Sequence, residues 1–226
     1  MMNTNYVTYN FTDNEKIPAI ISANGNSTLV WLQSEWDSGE YVDFINKNGC
    51  GHCCTAMVLN LHGIKINPHE EFSLCRQLWG EPRMGAPLYE DNFISASGIV
   101  KILKNFGIEA RAFGVQNGKC NECAKHIQKE LSDGKQVILW SHPADKLSHN
   151  PFSTGDHYVL LAGICENGKI LVANSSVKGD TDKGIQYTDI YTIKSVLLEG
   201  CEPDDTFTWG RYDLCRSGGY VVVGSV

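Results

Sequence analysis

The chain has 226 residues, of which 42% are hydrophobic and 20% charged, so it can bury enough apolar surface to fold as one large domain. Its 26 acidic residues outnumber 19 basic ones, which gives a formal net charge of −7 at pH 7. The electrostatic field of this negative charge repels a polyanion such as DNA, and the sequence has no run of lysines and arginines that would offset the repulsion. The composition therefore argues against nucleic-acid binding.

No apolar stretch of the sequence approaches the roughly 20 residues that a membrane-spanning helix needs, so no membrane segment is expected. The N-terminal region also lacks the basic and apolar segments of a signal peptide. We therefore expect a cytoplasmic protein, or a secreted one if a signal preceded this chain and was removed. The sequence carries no signal of the oligomeric state.

The first 28 residues are polar and rich in asparagine, with short β-like runs at 6–11 and 17–22. They predict an N-terminal arm or hairpin over residues 1–28. No internal repeat or low-complexity linker follows, so residues 29–226 are expected to form a single domain.

Helical patterns dominate the first half of the chain. Apolar residues at helical spacing predict helices over 53–62, 67–78, 95–106 and 121–132. Gly63 stands where the first helix should end, and Asn67 and Pro68 stand at the N-cap and the first position of the second.

Strand patterns dominate the second half. Apolar runs predict strands over 108–114, 136–141, 156–164, 169–174 and 219–226, and a further helix is expected over 190–199. The dipeptide Asn167-Gly168 predicts a tight turn that makes a hairpin of two of these strands. Helices first and strands later predict an α+β fold, with N-terminal helices packed on a mostly antiparallel sheet.

The glycine-bracketed turn Gly49-Cys50-Gly51, just before the first of these helices, is the strongest candidate for chemistry. Backbone N–H groups at a helix start favour a thiolate, glycines let a substrate backbone approach, and the Cys50 amide can stabilise an oxyanion. A nearby imidazolium would lower the pKa of the thiol further. The alternative is a structural thiol at a helix start.

His157, at the start of a predicted buried strand, is the best placed of the seven histidines to act as a general base. A third group must fix the tautomer of its ring, and the hairpin places Asn174 near it. We expect the Cys50 sulfur within about 4 Å of a ring nitrogen. The alternatives are a strand-edge histidine bonded to backbone and a turn asparagine.

These motifs resemble those of papain-like cysteine peptidases of the bacteriocin-processing type, peptidase family C39, and especially its stand-alone bacterial members. The resemblance covers roughly residues 29–176. It rests on GCGHCCTAMVL at 49–59, GDHYVLL at 155–161 and ILVANS at 170–175. It implies a papain-like fold in which Cys50, His157 and Asn174 form a catalytic triad.

Gln33, in WLQSEW at 31–36, matches a family glutamine that helps form the oxyanion hole, although it stands farther upstream of the cysteine than in exporter-linked peptidases. A solvent-facing glutamine is the alternative. Two further departures are His52 and Cys53 in place of the usual Pro-Thr, and Asn174 where aspartate is commoner.

The resemblance implies a peptidase that cleaves a peptide or amide bond through a thioester acyl-enzyme, with no cofactor and no metal. Two alternatives are an acyltransferase that uses the same thiol and a non-catalytic binding module of the same fold. Exporter-linked relatives cut after Gly-Gly in leader peptides, but no transporter domain accompanies this chain, and its substrate sequence stays open.

The chain has nine cysteines, at positions 50, 53, 54, 75, 120, 123, 165, 201 and 215, and this odd number argues against a disulfide framework. A disulfide between Cys50 and Cys53 that silences the thiol is an alternative. Cys120 and Cys123 resemble half a zinc site, which His126 would extend to three ligands. No second pair completes it, so we expect reduced, metal-free thiols there.

Overall fold

The computed structural model describes residues 8–12, 15–22, 24–33, 42–82, 88–90, 93–142, 150–153, 155–176, 184–197, 199 and 219–225. Cys201 and Cys215 lie outside these ranges. Within the described part, no helix combines the length and the apolar character needed to cross a bilayer.

Short helices and strands follow one another along the described part of the chain, in runs of one to four. The strands are β1 (Thr8–Thr12), β2 (Glu15–Ile21), β3 (Ser27–Leu29), β4 (Tyr89–Glu90), β5 (Phe93–Ile94), β6 (Ala110–Phe113), β7 (Gln136–Ser141), β8 (His157–Ile164), β9 (Ile170–Ala173), β10 (Ile185–Thr188) and β11 (Tyr220–Val223). The helices are α1 (Val42–Asn48), α2 (Cys50–Leu61), α3 (Pro68–Trp79), α4 (Ala96–Asn105), α5 (Cys120–Ser132) and α6 (Ile190–Ser195).

A six-stranded sheet in the order β10-β9-β8-β7-β11-β6 forms the centre of the domain, and every neighbouring pair is antiparallel. One face packs against α2, α3 and α4, and the other against α5 and α6. The predicted α+β fold with an antiparallel sheet is confirmed. Helices cover both faces of the sheet, and all six residues of β7 are therefore buried. The sequence did not show this coverage of both faces.

Local sequence signals place several elements within a few residues of their predicted bounds. Asn67 caps α3 in a capping box, in which its side chain accepts from the Glu70 N–H (2.9 Å) and the Glu70 carboxylate accepts from the Asn67 N–H (2.9 Å). The helix predicted over 53–62 begins earlier, so that Cys50 is its first residue. The sequence patterns did not predict α1, β3, β4, β5 and β10.

The N-terminal strands form a small three-stranded antiparallel sheet in the order β1-β2-β3. This sheet docks on the end of α2, where the Asn26 side chain donates to the Leu61 carbonyl (3.0 Å). Lys65 Nζ donates to the Ser27 carbonyl at the same distance. Strand β3 pairs with β2 and crosses residue 28, and the domain boundary expected there stays a prediction.

The glycines beside Cys50 serve the packing of α2. A Cβ at Gly49 would lie 2.4 Å from the Ile45 carbonyl oxygen, and one at Gly51 would lie 2.2 Å from Ile94 Cγ2. Both distances are shorter than real contacts. Because neighbouring residues of α1, β5 and β8 already occupy this space, a larger residue at either position would displace them. The approach of a substrate backbone to these glycines stays a prediction.

Candidate active site

Cys50 lies at the N-terminus of α2 with only 4% of its surface exposed. Burial raises the pKa of its thiol, although the backbone amides of Tyr158, Gly51 and Cys50 itself lower that pKa in part. The expectation of a lowered pKa for this thiol is therefore wrong in this structure. Desolvation, which the sequence did not show, outweighs the amides at the helix start.

His157 is the first residue of β8, and its ring is held by Asn174. The distance from His157 Nε2 to Asn174 Oδ1 is 2.9 Å. An amide oxygen only accepts, so the proton of the neutral ring lies on Nε2 and Nδ1 is left as the base. Burial lowers the pKa of this imidazole to about 4, against a smaller opposite effect of the Asn174 hydrogen bond.

Asn174 is fixed by all of its polar atoms. Its Nδ2 donates to the Phe152 carbonyl (2.8 Å) and to Gln186 Oε1 (3.1 Å), and its Oδ1 also accepts from the Ser176 N–H (2.9 Å). Gln186 Nε2 donates in turn to the Pro151 carbonyl, which directs Oε1 toward Asn174. This network sets the orientation of the amide and explains why an asparagine suits this position.

Replacing Asn174 with aspartate should reduce the free energy of unfolding at pH 7 by about 2–4 kcal/mol, because a carboxylate would face the Phe152 carbonyl and Gln186 Oε1 with no hydrogen to donate. Urea unfolding measures this loss. The matched control is Asn167→Asp in the exposed β8–β9 turn, where Asn167 accepts from the Lys169 N–H and its side chain donates no hydrogen bond to another described residue. Equal stability of Asn174→Asp and the wild type would contradict the amide assignment.

Tyr158 connects Cys50 to His157. The backbone amide of Tyr158 faces the Cys50 sulfur, and Tyr158 directly follows His157 in β8. Within the described ranges, however, no hydrogen bond joins the Cys50 thiol to the His157 ring. The structure thus brings His157 and Asn174 into direct contact and Cys50 next to their strand. The expected 4 Å approach of sulfur to nitrogen stays a prediction.

Gln33 lies between the two chain segments that carry these residues. Its backbone N–H donates to the Ser175 carbonyl (3.0 Å), directly after Asn174. Its side-chain Nε2 donates to the Asn46 carbonyl (3.2 Å), four residues before Cys50. The side chain is half-buried and anchored by this hydrogen bond, and its role in an oxyanion hole stays a prediction.

Asp156 directly precedes His157 in the chain, but it does not orient the His157 ring. In the structure the Asp156 carboxylate pairs with Nδ1 of His142 instead. The residues that the sequence analysis missed are Gln186 and the carbonyl of Phe152, which hold Asn174. Gln186 lies on β10. The alternation of apolar and polar residues over Ile185–Thr188 was the pattern that could have predicted this strand.

The neighbouring thiols of Cys50 and Cys53 and of Cys120 and Cys123 are not joined by disulfides. The seven described cysteines are free, so Cys50 and Cys53 form no disulfide. The Cys120 thiol donates to the Leu197 carbonyl and the Cys123 thiol to the Gly114 carbonyl. Among the described residues, the side chains that could together ligate a metal are those of His52, Glu71 and Cys75, which sequence spacing did not indicate.

A cysteine that begins a core helix, beside a strand whose histidine is held by an asparagine of the next strand, is the arrangement of papain-like cysteine peptidases. The family model described as Peptidase C39 like family matches residues 30–196. The chain therefore belongs to this family, as the resemblance of its motifs implied, and its fold is papain-like.

Solved structures include similar proteins at low identity. A C39-like peptidase from Bacillus anthracis is 12% identical, with a TM-score of 0.47, over 87% of this chain and 94% of that one. A double glycine motif protease from an AMS/PCAT transporter, in complex with the leader peptide, is 15% identical, with a TM-score of 0.39, over 78% of this chain and 84% of that one. No curated protein matches the chain.

Proposed function

We propose that the protein is a cysteine peptidase in which Cys50 is the nucleophile, His157 the general base and Asn174 the group that orients His157. The observation that carries the proposal is the hydrogen bond from His157 Nε2 to Asn174 Oδ1. It leaves Nδ1 unprotonated on the residue next to Tyr158, whose amide faces the Cys50 sulfur. Family membership supports the same assignment.

The pKa shifts favour a concerted first step. Burial raises the pKa of Cys50 and lowers that of His157, so thiol and imidazole are both neutral at pH 7. The thiol proton passes to Nδ1 as sulfur bonds to the substrate carbonyl carbon and the carbonyl π electrons move to oxygen. The imidazolium then protonates the leaving amine as the C–N bond breaks, and water hydrolyses the thioester with His157 again as base.

The oxyanion of this reaction needs donors that are already in place. The backbone amide of Cys50 is one, because the first N–H groups of a helix have no partner within the helix. Gln33 Nε2 is the second: one of its hydrogens is bound to the Asn46 carbonyl, which positions the amide and leaves the other hydrogen available. The substrate class is a peptide or amide.

The second candidate function is a non-catalytic binding module of the same fold. It is favoured by the burial of the Cys50 thiol and by the direction of its pKa shift, since both oppose thiolate formation. An acyltransferase would use the same residues and differ only in the amine that takes the acyl group.

One experiment separates these functions. The protein is incubated with a peptide mixture of known sequences, with and without glycine ethyl ester as an amine acceptor, and the products are identified by mass spectrometry. We expect new free C-termini and, after acid quenching, a mass increase on the peptide that contains Cys50. Ester-capped C-termini alone would indicate an acyltransferase. Intact peptides together with an unmodified Cys50 would contradict both enzymes.

A further inference from the structure

A second cluster of titratable side chains begins at His52, two residues after Cys50 in α2, and takes no part in the proposed reaction. His52 Nδ1 lies 2.6 Å from Glu71 Oε2, and Cys75 Sγ lies 3.3 Å from Glu71 Oε1. One ligand atom from each of these residues lies within 4.8 Å of the others. We call His52, Glu71 and Cys75 the buried cluster.

The buried cluster is closed off from water and joins two helices. His52 and Glu71 are fully buried and Cys75 is 1% exposed. His52 lies on α2, while Glu71 and Cys75 lie one turn apart on the same face of α3. The ring of Phe72 packs edge-on against the imidazole with centroids 4.9 Å apart, so the surroundings are apolar. A charge in such a place needs a partner.

The ligand types decide which ion fits. One imidazole nitrogen, one thiolate and one carboxylate are the donors that zinc takes in proteins, whereas calcium and magnesium prefer oxygen alone. A divalent ion with one thiolate and one carboxylate sums to zero charge, which suits a dry site. We propose that the buried cluster binds one divalent metal ion of the zinc type, which ties α2 to α3.

Protons balance when the ion binds. Without it, Tyr89 contacts His52 Nε2 (3.3 Å), His52 Nδ1 shares a proton with Glu71, and the Cys75 thiol donates to Glu71. Binding releases the thiol proton to solvent and moves the imidazole proton from Nδ1 to Nε2. Nε2 then donates to the Tyr89 oxygen, the outer contact that a metal-bound histidine needs.

Tetrahedral zinc takes four ligands, and the buried cluster supplies three of them, so a water molecule would complete the set and leave the total charge at zero. The ion would fix the start of α2, two residues beyond Cys50. Because all three ligands are buried, it would be a structural rather than a reacting metal.

The test is the metal content of the folded protein. Because the buried cluster is inaccessible once folded, the chain is expressed in medium with added zinc, purified without chelators, and analysed by elemental mass spectrometry. We expect about one zinc per chain in the wild type and a loss of at least about tenfold in Cys75→Ser and Glu71→Gln. The double variant Cys120→Ser/Cys123→Ser is the matched control and should keep its zinc.

Expression in cobalt medium gives a second readout that does not depend on a folded variant. Thiolate ligation to Co²⁺ should produce a sulfur-to-cobalt charge-transfer band and the visible bands of a tetrahedral site. Folded wild type with neither zinc nor these bands would overturn the proposal and leave the cluster as a metal-free hydrogen-bond chain. Zinc retained by Cys75→Ser but lost from the control would place the ion at Cys120 and Cys123 instead.

Discussion

Replacing Cys50 with serine should lower the rate of peptide hydrolysis by at least about a thousandfold, because a buried hydroxyl is a far weaker nucleophile than the thiol it replaces. The rate is measured per folded molecule on a peptide identified by mass spectrometry. Cys50 is nearly fully buried at the start of α2, so circular dichroism and thermal unfolding should accompany the assay.

The matched control is Cys54→Ser, the same chemical change in the same helix. Cys54 is fully buried one turn further on, where its thiol packs in the core among apolar side chains. It should lose some stability and keep its rate per folded molecule. If Cys54→Ser were inactive and Cys50→Ser active, Cys50 would not be the nucleophile.

The activity should be lost on acidification only near pH 4, well below the pKa of an ordinary histidine. Burial lowers the pKa of His157 to about 4, and only the neutral ring can accept the thiol proton. The value of kcat/KM should therefore be flat between pH 5 and 7 and fall about tenfold per pH unit below pH 4. An acid limit near pH 6.5 would show that His157 keeps the ordinary pKa of a histidine. Rapid alkylation of Cys50 at pH 6 would show a thiolate–imidazolium ion pair instead of a neutral pair.

The same shift makes stability depend on pH. The folded pKa of His157 lies below the unfolded value near 6.5, so the unfolded chain binds the proton more tightly. Stability from this residue is complete above pH 6.5 and is lost as the pH falls toward 4, a total of about 3 kcal/mol. Urea unfolding of the wild type and of His157→Gln should show this difference, since glutamine does not titrate.

Elements with local signals were the ones that the sequence predicted well. The Asn67 cap and Pro68 start α3, and the Asn167-Gly168 turn joins β8 to β9, each within a few residues of the predicted place. The pair His157 and Asn174 also followed from local spacing, because a hairpin brings its two ends together.

Features that depend on distant elements could not be predicted in this way. Burial by β5 and β8 reverses the expected pKa shift of Cys50, and no pattern near residue 50 encodes that packing. Gln186 reaches Asn174 only because β10 forms the edge of the sheet beside β9. His52, Glu71 and Cys75 have no metal-site spacing, since α2 and α3 place them together by their crossing.

The position of β11 in the sheet has a consequence for biosynthesis. This strand, Tyr220–Val223, is late in the chain and outside the matched residues 30–196, yet it lies between β7 and β6. Until the ribosome releases it, β7 and β6 each present an unpaired strand edge that can pair with other chains. The nascent chain therefore carries two open edges from the completion of β7 at Ser141 until translation has passed residue 223, when the sheet can close.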